Sequence, residues 1–380
     1  MLRIIFALLC LILTHACAKH GAFINPRFVG LQDLTVTDNT RSDIVNSETD
    51  RRFAVRILYP TCQQLTPAPY VDDALLDALQ ADDYFFQQEE VFQSWGVRTL
   101  ASKDAPECSG PWPAATLSIG LGVSGFQYSL LAEKLANAGI VTIIIDHPYG
   151  AHSRLPDGTI LNSNDDKDLA RIDEDPTILA DRTSDWARDI SIVIDRLVEK
   201  SLIEGLNINT EKLYAIGHSM GGAAALDACL YDDRLAGCVD MDGAPFGTKA
   251  MEAGLKGDNL ILFSNPLYTE VDHAARGRTK EDWDAMGEQI NALWSDIITK
   301  SDGKVHRVSV AGTGHMSFSD APIVMPDAIN RFGGKPMAPE RAMDAISGVL
   351  IAYMDQNPNE IDTFEAYLEH IPELNLLKPN

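Results

Sequence analysis

Two different apolar rhythms run along this chain. Residues 31–37 and 53–59 alternate apolar and polar side chains, as strands do when one face is buried and the other wet. The polar stretch 38–52 separates them and Tyr59-Pro60 closes the second, a pattern that predicts an antiparallel hairpin at the edge of a sheet. Further on the pattern changes. Residues 115–119 and the β-branched run 141–145 lack alternation and read as strands buried on both faces. Other strands are expected around 213–217, 237–241, 260–264 and 305–311. Helical stretches lie between them: 126–138, closed by Gly139; 185–200, where Trp186, Ile190, Val193 and Leu197 share one face; 281–300; and 341–354. Strands that alternate with helices predict an α/β fold, a mostly parallel sheet with helices on both faces.

Residues 61–114 break the rhythm. They are rich in Pro, Asp and Gln, with two short helices expected near 72–80 and 85–95. Phe85, Phe86, Phe92 and Trp95 give the second an apolar face. The segment reads either as a surface insertion that packs locally or, from its place just before the next strand, as a flap beside a pocket.

Composition narrows the setting. Of 380 residues, 45% are hydrophobic and 23% charged, which suits one large domain over residues 19–380. A net charge of −24 argues against nucleic acid and anionic membrane surfaces as partners. Residues 1–18 have the layout of an export signal: Arg3, a ten-residue apolar run over 4–13, and Ala16-Cys17-Ala18 as the cleavage site. Ten residues are too few to span a bilayer. The expectation is a secreted or periplasmic protein, with a lipid anchor on Cys17 as the alternative. Four cysteines then remain, Cys62, Cys108, Cys229 and Cys238. In an exported chain they suggest disulfides. Cys62 and Cys108 bracket the insertion and are expected to pair; a Cys229–Cys238 bridge is open, with two buried thiols favoured over it.

The chemistry centres on Gly217-His218-Ser219-Met220-Gly221-Gly222. An apolar strand precedes it and the small-residue helix Ala223-Ala224-Ala225-Leu226 follows. This Gly-x-Ser-x-Gly spacing in a strand-to-helix turn is the nucleophile elbow of the α/β-hydrolase fold. Strand and helix pass so closely there that side chains at 217 and 221 would clash, and the turn lifts the serine hydroxyl clear of the sheet. His218 is expected to point away from the serine and pack. Such a serine needs a base and an orienting carboxylate, in the chain order Ser, acid, His. His315 lies in the glycine-flanked loop just past the last central strand and is the expected base; His273, His306 and His370 stand in less suitable contexts. For the acid, spacing leaves Asp242 and Asp272 open, with Asp240 deeper in its strand. The loop Gly120-Leu121-Gly122-Val123-Ser124-Gly125 follows a strand and is where this fold places an oxyanion donor. His147 and Tyr149, at the end of 141–145, are candidates to line the pocket, with a structural role for Asp146 and His147 equally open.

Several segments together resemble the secreted-type platelet-activating-factor acetylhydrolase family. They are Val29-Gly30, the 52–60 strand, Gly120-Leu121-Gly122, Asp146-His147-Pro148-Tyr149 with Pro156-Asp157-Gly158, the elbow, Met241-Asp242-Gly243, and Gly312-Thr313-Gly314-His315-Met316-Ser317-Phe318. Ile119-Gly120 departs from the His-Gly that relatives often carry. The resemblance implies a serine esterase in which Asp242 is the acid and the backbone N–H groups of Leu121 and Met220 hold the oxyanion. It implies no metal or organic cofactor, and a small ester or phospholipid as substrate. By the same layout Leu121, Val123, Met220, Phe246 and Met316 surround the acyl group. A general carboxylesterase or polyesterase, and a hydrolase-like domain kept for binding, are the competing readings.

Overall fold

The computed structural model describes residues 28–81, 98–172, 174–175, 177–245, 249–267, 273–274, 277, 279–326, 337–354 and 363–377. The expected export signal, the 85–95 helix, Phe246 and Asp272 lie outside the described residues.

In chain order the elements are β1 (Phe28–Ser42), β2 (Asp50–Thr61), β3 (Pro67–Pro69), α1 (Asp73–Ala81), β4 (Arg98–Lys103), β5 (Trp112–Ser118), α2 (Ser129–Asn137) and β6 (Val141–Asp146). A small hairpin, β7 (Ser153–Arg154) and β8 (Ile160–Leu161), precedes α3 (Thr177–Val198). Then come β9 (Ile208–His218), α4 (Met220–Tyr231), β10 (Leu235–Met241), α5 (Lys249–Ala253), β11 (Asn259–Asn265) and α6 (Lys280–Lys300). The chain closes with β12 (Val305–Ala311), α7 (Ala321–Val324), α8 (Pro339–Met354), α9 (Thr363–His370) and β13 (Leu374–Leu376).

The main sheet has the spatial order β13-β12-β11-β10-β9-β5-β6-β2-β1-β4-β3. The six strands from β12 to β6 run parallel. Their buried faces explain the near-continuous apolar sequence: Val141 to Ile145 and Leu260 to Leu262 are fully enclosed. The α/β-hydrolase architecture expected from the sequence is present, with helices covering both faces. Residues Trp186, Ile190, Val193 and Leu197 are all buried, as their periodicity predicted, although α3 begins two turns earlier than the pattern suggested.

The hairpin is where expected but is not the edge. β1 and β2 pair antiparallel from Phe28↔Thr61 to Asp38↔Arg51. Beyond them, β4 joins β1 in parallel at Gly30↔Ser102 and Leu31↔Lys103, and β3 lies outermost. The insertion therefore extends the sheet. Its Thr99-Leu100-Ala101-Ser102 run does not alternate, and the polar Thr99 is buried while Leu100 is exposed, so the strand has no hydropathy signal. The other expected insertion helix is α1, close to its predicted place.

Cys62 and Cys108 are bridged, with Cα atoms 5.3 Å apart. Cys229 and Cys238 are bridged as well, at 6.3 Å, which corrects the expectation of two thiols. The cause is geometric: Cys229 is in the last turn of α4, and the tight return into β10 brings Cys238 back beside it. Among the described residues no helix is long and apolar enough to cross a membrane.

Peptide mapping without reduction is expected to recover both bridges and no free thiol among these four. The 46-residue separation of the first predicts that Cys62→Ser lowers stability by about 2–4 kcal/mol. Free Cys229 and Cys238 in the folded protein would contradict the second bridge.

Candidate active site

Parallel strands end on the same side of a sheet, so the loops that follow β5, β9, β10 and β12 meet at one rim. Each delivers one part of the expected site.

The strand β9 stops at His218, and Ser219 sits at φ 56°, ψ −124°, a strained region for any residue with a Cβ. Two glycines make this turn possible. A Cβ on Gly217 would lie 1.9 Å from the carbonyl oxygen of Gly221, and one on Gly221 only 2.3 Å from that of Ile119. A Cβ on Gly222 or Gly243 would strike the Asp240 carboxylate. Ser219 is partly exposed and its amide donates to the Met241 carbonyl at 3.0 Å, which ties the elbow to the end of β10.

Asp242 follows β10 at φ 57°. Its Oδ2 accepts from His315 Nδ1 at 2.7 Å and its Oδ1 from the Ser264 amide at 2.6 Å. Burial raises the carboxyl's pKa, but the His315 hydrogen bond, the imidazole charge and the Ser264 amide together outweigh it and hold the group below its ordinary value. The carboxylate is 14% exposed and the His315 side chain 50% exposed, so the pair is anchored at one end and open at the other. A ring held at Nδ1 leaves Nε2 free of the proton and able to take one.

Asp240 is fully buried, and its Oδ1 accepts from the Gly243 amide at 2.7 Å, beneath the elbow. Burial pushes its carboxyl well above the usual range. It sits under the turn and makes no contact with His315 among the described residues. His306 packs edge-on against Phe364 with ring centres 4.7 Å apart, and His370 donates from Nδ1 to the Ala366 carbonyl, so neither belongs to this rim.

After β5 the loop 119–125 runs beside the elbow. A Cβ on Gly120 would come 3.1 Å from His218 Nδ1 and 3.3 Å from Tyr128 Oη, and would meet Ser219 Cβ at an ordinary 3.4 Å, so the loop lies directly against the elbow. Leu121 is half-buried. Met220 opens α4, where a first-turn amide has no intrahelical carbonyl. Neither amide has a hydrogen-bond partner among the described residues. Val123 and Met220 are buried and Met316 partly buried.

The insertion reaches this rim. Tyr70, Val71, Leu75 and Leu79 pack with Phe126, Ala321, Val324 and Met325, and Leu76, Leu130 and Met316 border the cluster. Tyr70 donates to Asp320 Oδ2 at 2.9 Å, and Asp320 also accepts from the amides of Leu130 and Leu131 at the start of α2. The flap expected from sequence is thus, at α1, a brace against the segment that carries His315.

His147 and Tyr149 do not line the site. His147 is fully buried, shares its Nδ1 with Asp189 Oδ2 at 2.9 Å and its Nε2 with Ser118 Oγ at 3.1 Å, and stacks on Trp186 at 4.3 Å. Tyr149 donates to Asp43 at 3.0 Å. His147 is drawn inward by a buried ionic group: Asp189 also receives Arg51 through two bonds and Arg41 through one. Burial alone would raise the Asp189 pKa, but the charge and hydrogen bonds of Arg51 prevail and hold it far below the ordinary value.

The sequence profile of the family described as platelet-activating factor acetylhydrolase, isoform II, matches residues 193–372. A probable 1-alkyl-2-acetylglycerophosphocholine esterase of Arthroderma benhamiae is 22% identical over 307 residues, which is 77% of this chain and 73% of that protein. A ferulic acid esterase from Streptomyces cinnamoneus superposes with a TM-score of 0.73 at 25% identity, over 95% of this chain and 98% of its own. The chain is a carboxylic ester hydrolase of the α/β-hydrolase fold, and over residues 193–372 it is similar to the platelet-activating-factor acetylhydrolases. The matched span of this esterase contains Ser219, Asp242 and His315 together, the whole of the rim except the β5 loop.

The ionic group predicts a sign for acid sensitivity. A carboxyl with a depressed folded pKa contributes stability that is present above its unfolded value, about 3.9, and is lost as pH falls toward the folded one. Asp189→Asn is expected to destabilise the esterase by about 3–5 kcal/mol at neutral pH, because Arg51 is left buried without its counter-charge. The loss should shrink below about pH 4. Denaturant melts across pH check this; an equal loss at pH 3 and pH 7 would contradict it.

Proposed function

We propose that this protein is an exported serine esterase that hydrolyses short acyl esters through an acyl-enzyme. The observation that carries the reading is the 2.7 Å bond between His315 Nδ1 and Asp242 Oδ2 at the rim where the strained Ser219 turn opens. In this reading His315 Nε2 takes the Ser219 proton as the oxygen attacks the ester carbonyl. Asp242 holds the ring in the tautomer that can accept it and stabilises the imidazolium. The amides of Leu121 and Met220 receive the tetrahedral oxyanion. The alkoxide leaves with the proton from His315, and water enters by the same relay to free the acid. The two bridges support export, since such pairs persist in oxidising compartments.

For the substrate, the name of the Arthroderma relative supports a phospholipid with a short sn-2 acyl group. The apolar surround of Leu121, Val123, Met220 and Met316 suits a short chain. Each buried CH₂ is worth only about 0.8 kcal/mol, so slight crowding cancels the gain from a longer one. A second reading, a general carboxylesterase that takes esters of aromatic acids, is supported by the 98% coverage of the ferulic acid esterase.

Rates on a p-nitrophenyl acyl series, a 2-acetyl phospholipid and methyl ferulate separate these readings. Acetate to butyrate should be cleaved well and palmitate poorly, without calcium, and the 2-acetyl phospholipid should be preferred. A preference for methyl ferulate moves the assignment to the second reading, and rates that climb toward long chains contradict both. On the preferred ester, Ser219→Ala and His315→Ala should each lower kcat by several orders of magnitude. Asp242→Asn should be severe and Asp272→Asn mild; the reverse order would place the acid at 272.

A further inference from the structure

Beneath the rim, one buried phenol and one buried imidazole join three of the four loops that the esterase reading uses. Tyr128 and His218 are both fully enclosed. The Gly120 amide donates to Tyr128 Oη at 2.9 Å. Tyr128 Oη lies 2.8 Å from His218 Nδ1, and His218 Nε2 lies 2.9 Å from the backbone carbonyl oxygen of His315.

The proton positions follow from what each atom can do. A carbonyl oxygen only accepts, so His218 Nε2 carries the proton and donates to His315. In the neutral ring Nδ1 is then an acceptor, and the phenol donates to it. That leaves the phenol lone pairs for the Gly120 N–H. Every polar atom in the chain is satisfied, with one tautomer and one direction. A cationic His218 would place a second N–H against the phenol's donated proton and break the sequence. Burial keeps the ring neutral, with its pKa pushed down to about 3, and the nearby His315 acts in the same direction.

What the chain joins gives it a purpose. Gly120 precedes Leu121, one proposed oxyanion donor. His218 precedes Ser219. The His315 carbonyl belongs to the residue proposed as the base. His218 also lies beside the His315 ring, with centroids 4.6 Å apart, and tilts over Phe318 at 6.1 Å. An ordinary packing histidine would need only the ring contacts. We infer that Tyr128 and His218 are positioning residues for the esterase reaction: together they hold the oxyanion loop, the elbow and the His315 loop in one register. The assignment rests on Ser219, His315 and Leu121 holding the roles proposed above. Neither side chain touches the reacting atoms; each acts through the backbone it holds.

The substitutions Tyr128→Phe, His218→Leu and His218→Gln test this against wild type and Ser219→Ala, each with a thermal melt and steady-state kinetics on p-nitrophenyl acetate. Small misplacements in a preorganised site cost rate rather than ground-state binding. Tyr128→Phe and His218→Leu should therefore melt cooperatively but lose about 10- to 100-fold in kcat, with KM within about threefold of wild type. His218→Gln keeps a donor that can reach the His315 carbonyl and should recover part of what His218→Leu loses. If Tyr128→Phe does not fold, the comparison of the two His218 variants decides. Folded Tyr128→Phe and His218→Leu with kcat within threefold of wild type, or His218→Gln no better than His218→Leu, would overturn the assignment. An active Ser219→Ala would instead sink the nucleophile on which it rests.

Discussion

The backbone at Ser219 is the constraint on which this structure depends. A serine at φ 56° is held there only because Gly217 and Gly221 carry no Cβ, which leaves that space to the backbone carbonyls of Gly221 and Ile119. The same close approach lets the β5 loop graze the elbow at Gly120 and lets Asp240 sit buried under Gly222 and Gly243. The sheet order follows suit. With β9 at the middle of the parallel run, the ends of β5 on one side and β10 on the other flank the serine. β12 is two strands further away, and the loop after it spans that gap to bring His315 to Asp242.

Two buried polar systems support the rim from below, and they differ in kind. The Arg51–Asp189–His147 group is ionic and ties α3 and β2 to the end of β6, and it meets the end of β5 at Ser118. The Tyr128–His218 chain is neutral and joins the loops directly. A neutral chain suits that place. A fixed charge at His218 would act on the His315 imidazole, whose charge, in the proposed relay, appears and vanishes with each turnover. The insertion adds a third support, in which Tyr70 and the apolar face of α1 press on the segment after His315.

Much of this was legible in the sequence because it is enforced locally. The elbow needs its glycines at fixed offsets, and His315 stands in a glycine-flanked loop after a strand, so both could be read from spacing. What spacing could not decide was set by tertiary geometry. Asp242 and Asp272 are equivalent by position in a strand–loop pattern; the left-handed backbone at Asp242 that turns its carboxylate to His315 leaves no mark in the residue itself. His147 ends a strand at the rim, as a pocket residue would, but Asp189 and Trp186 on a distant helix claim it. The Cys229–Cys238 bridge depends on how sharply α4 turns back into β10. Tyr128 occupies a helix start that hydropathy reads only as apolar, and its partner across 90 residues is visible only when the loops are assembled. β4 escaped for a similar reason, since it is held by short pairings with β1 and β3 and not by its own pattern.

Phosphonylation of the active enzyme by a fluorophosphonate, with the adduct mapped by mass spectrometry, tests the assignment of the nucleophile most directly. One adduct per chain is predicted, on Ser219, formed in proportion to the loss of esterase activity and absent from the His315→Ala variant. Complete inactivation with Ser219 unmodified, or an adduct on another serine, would contradict it.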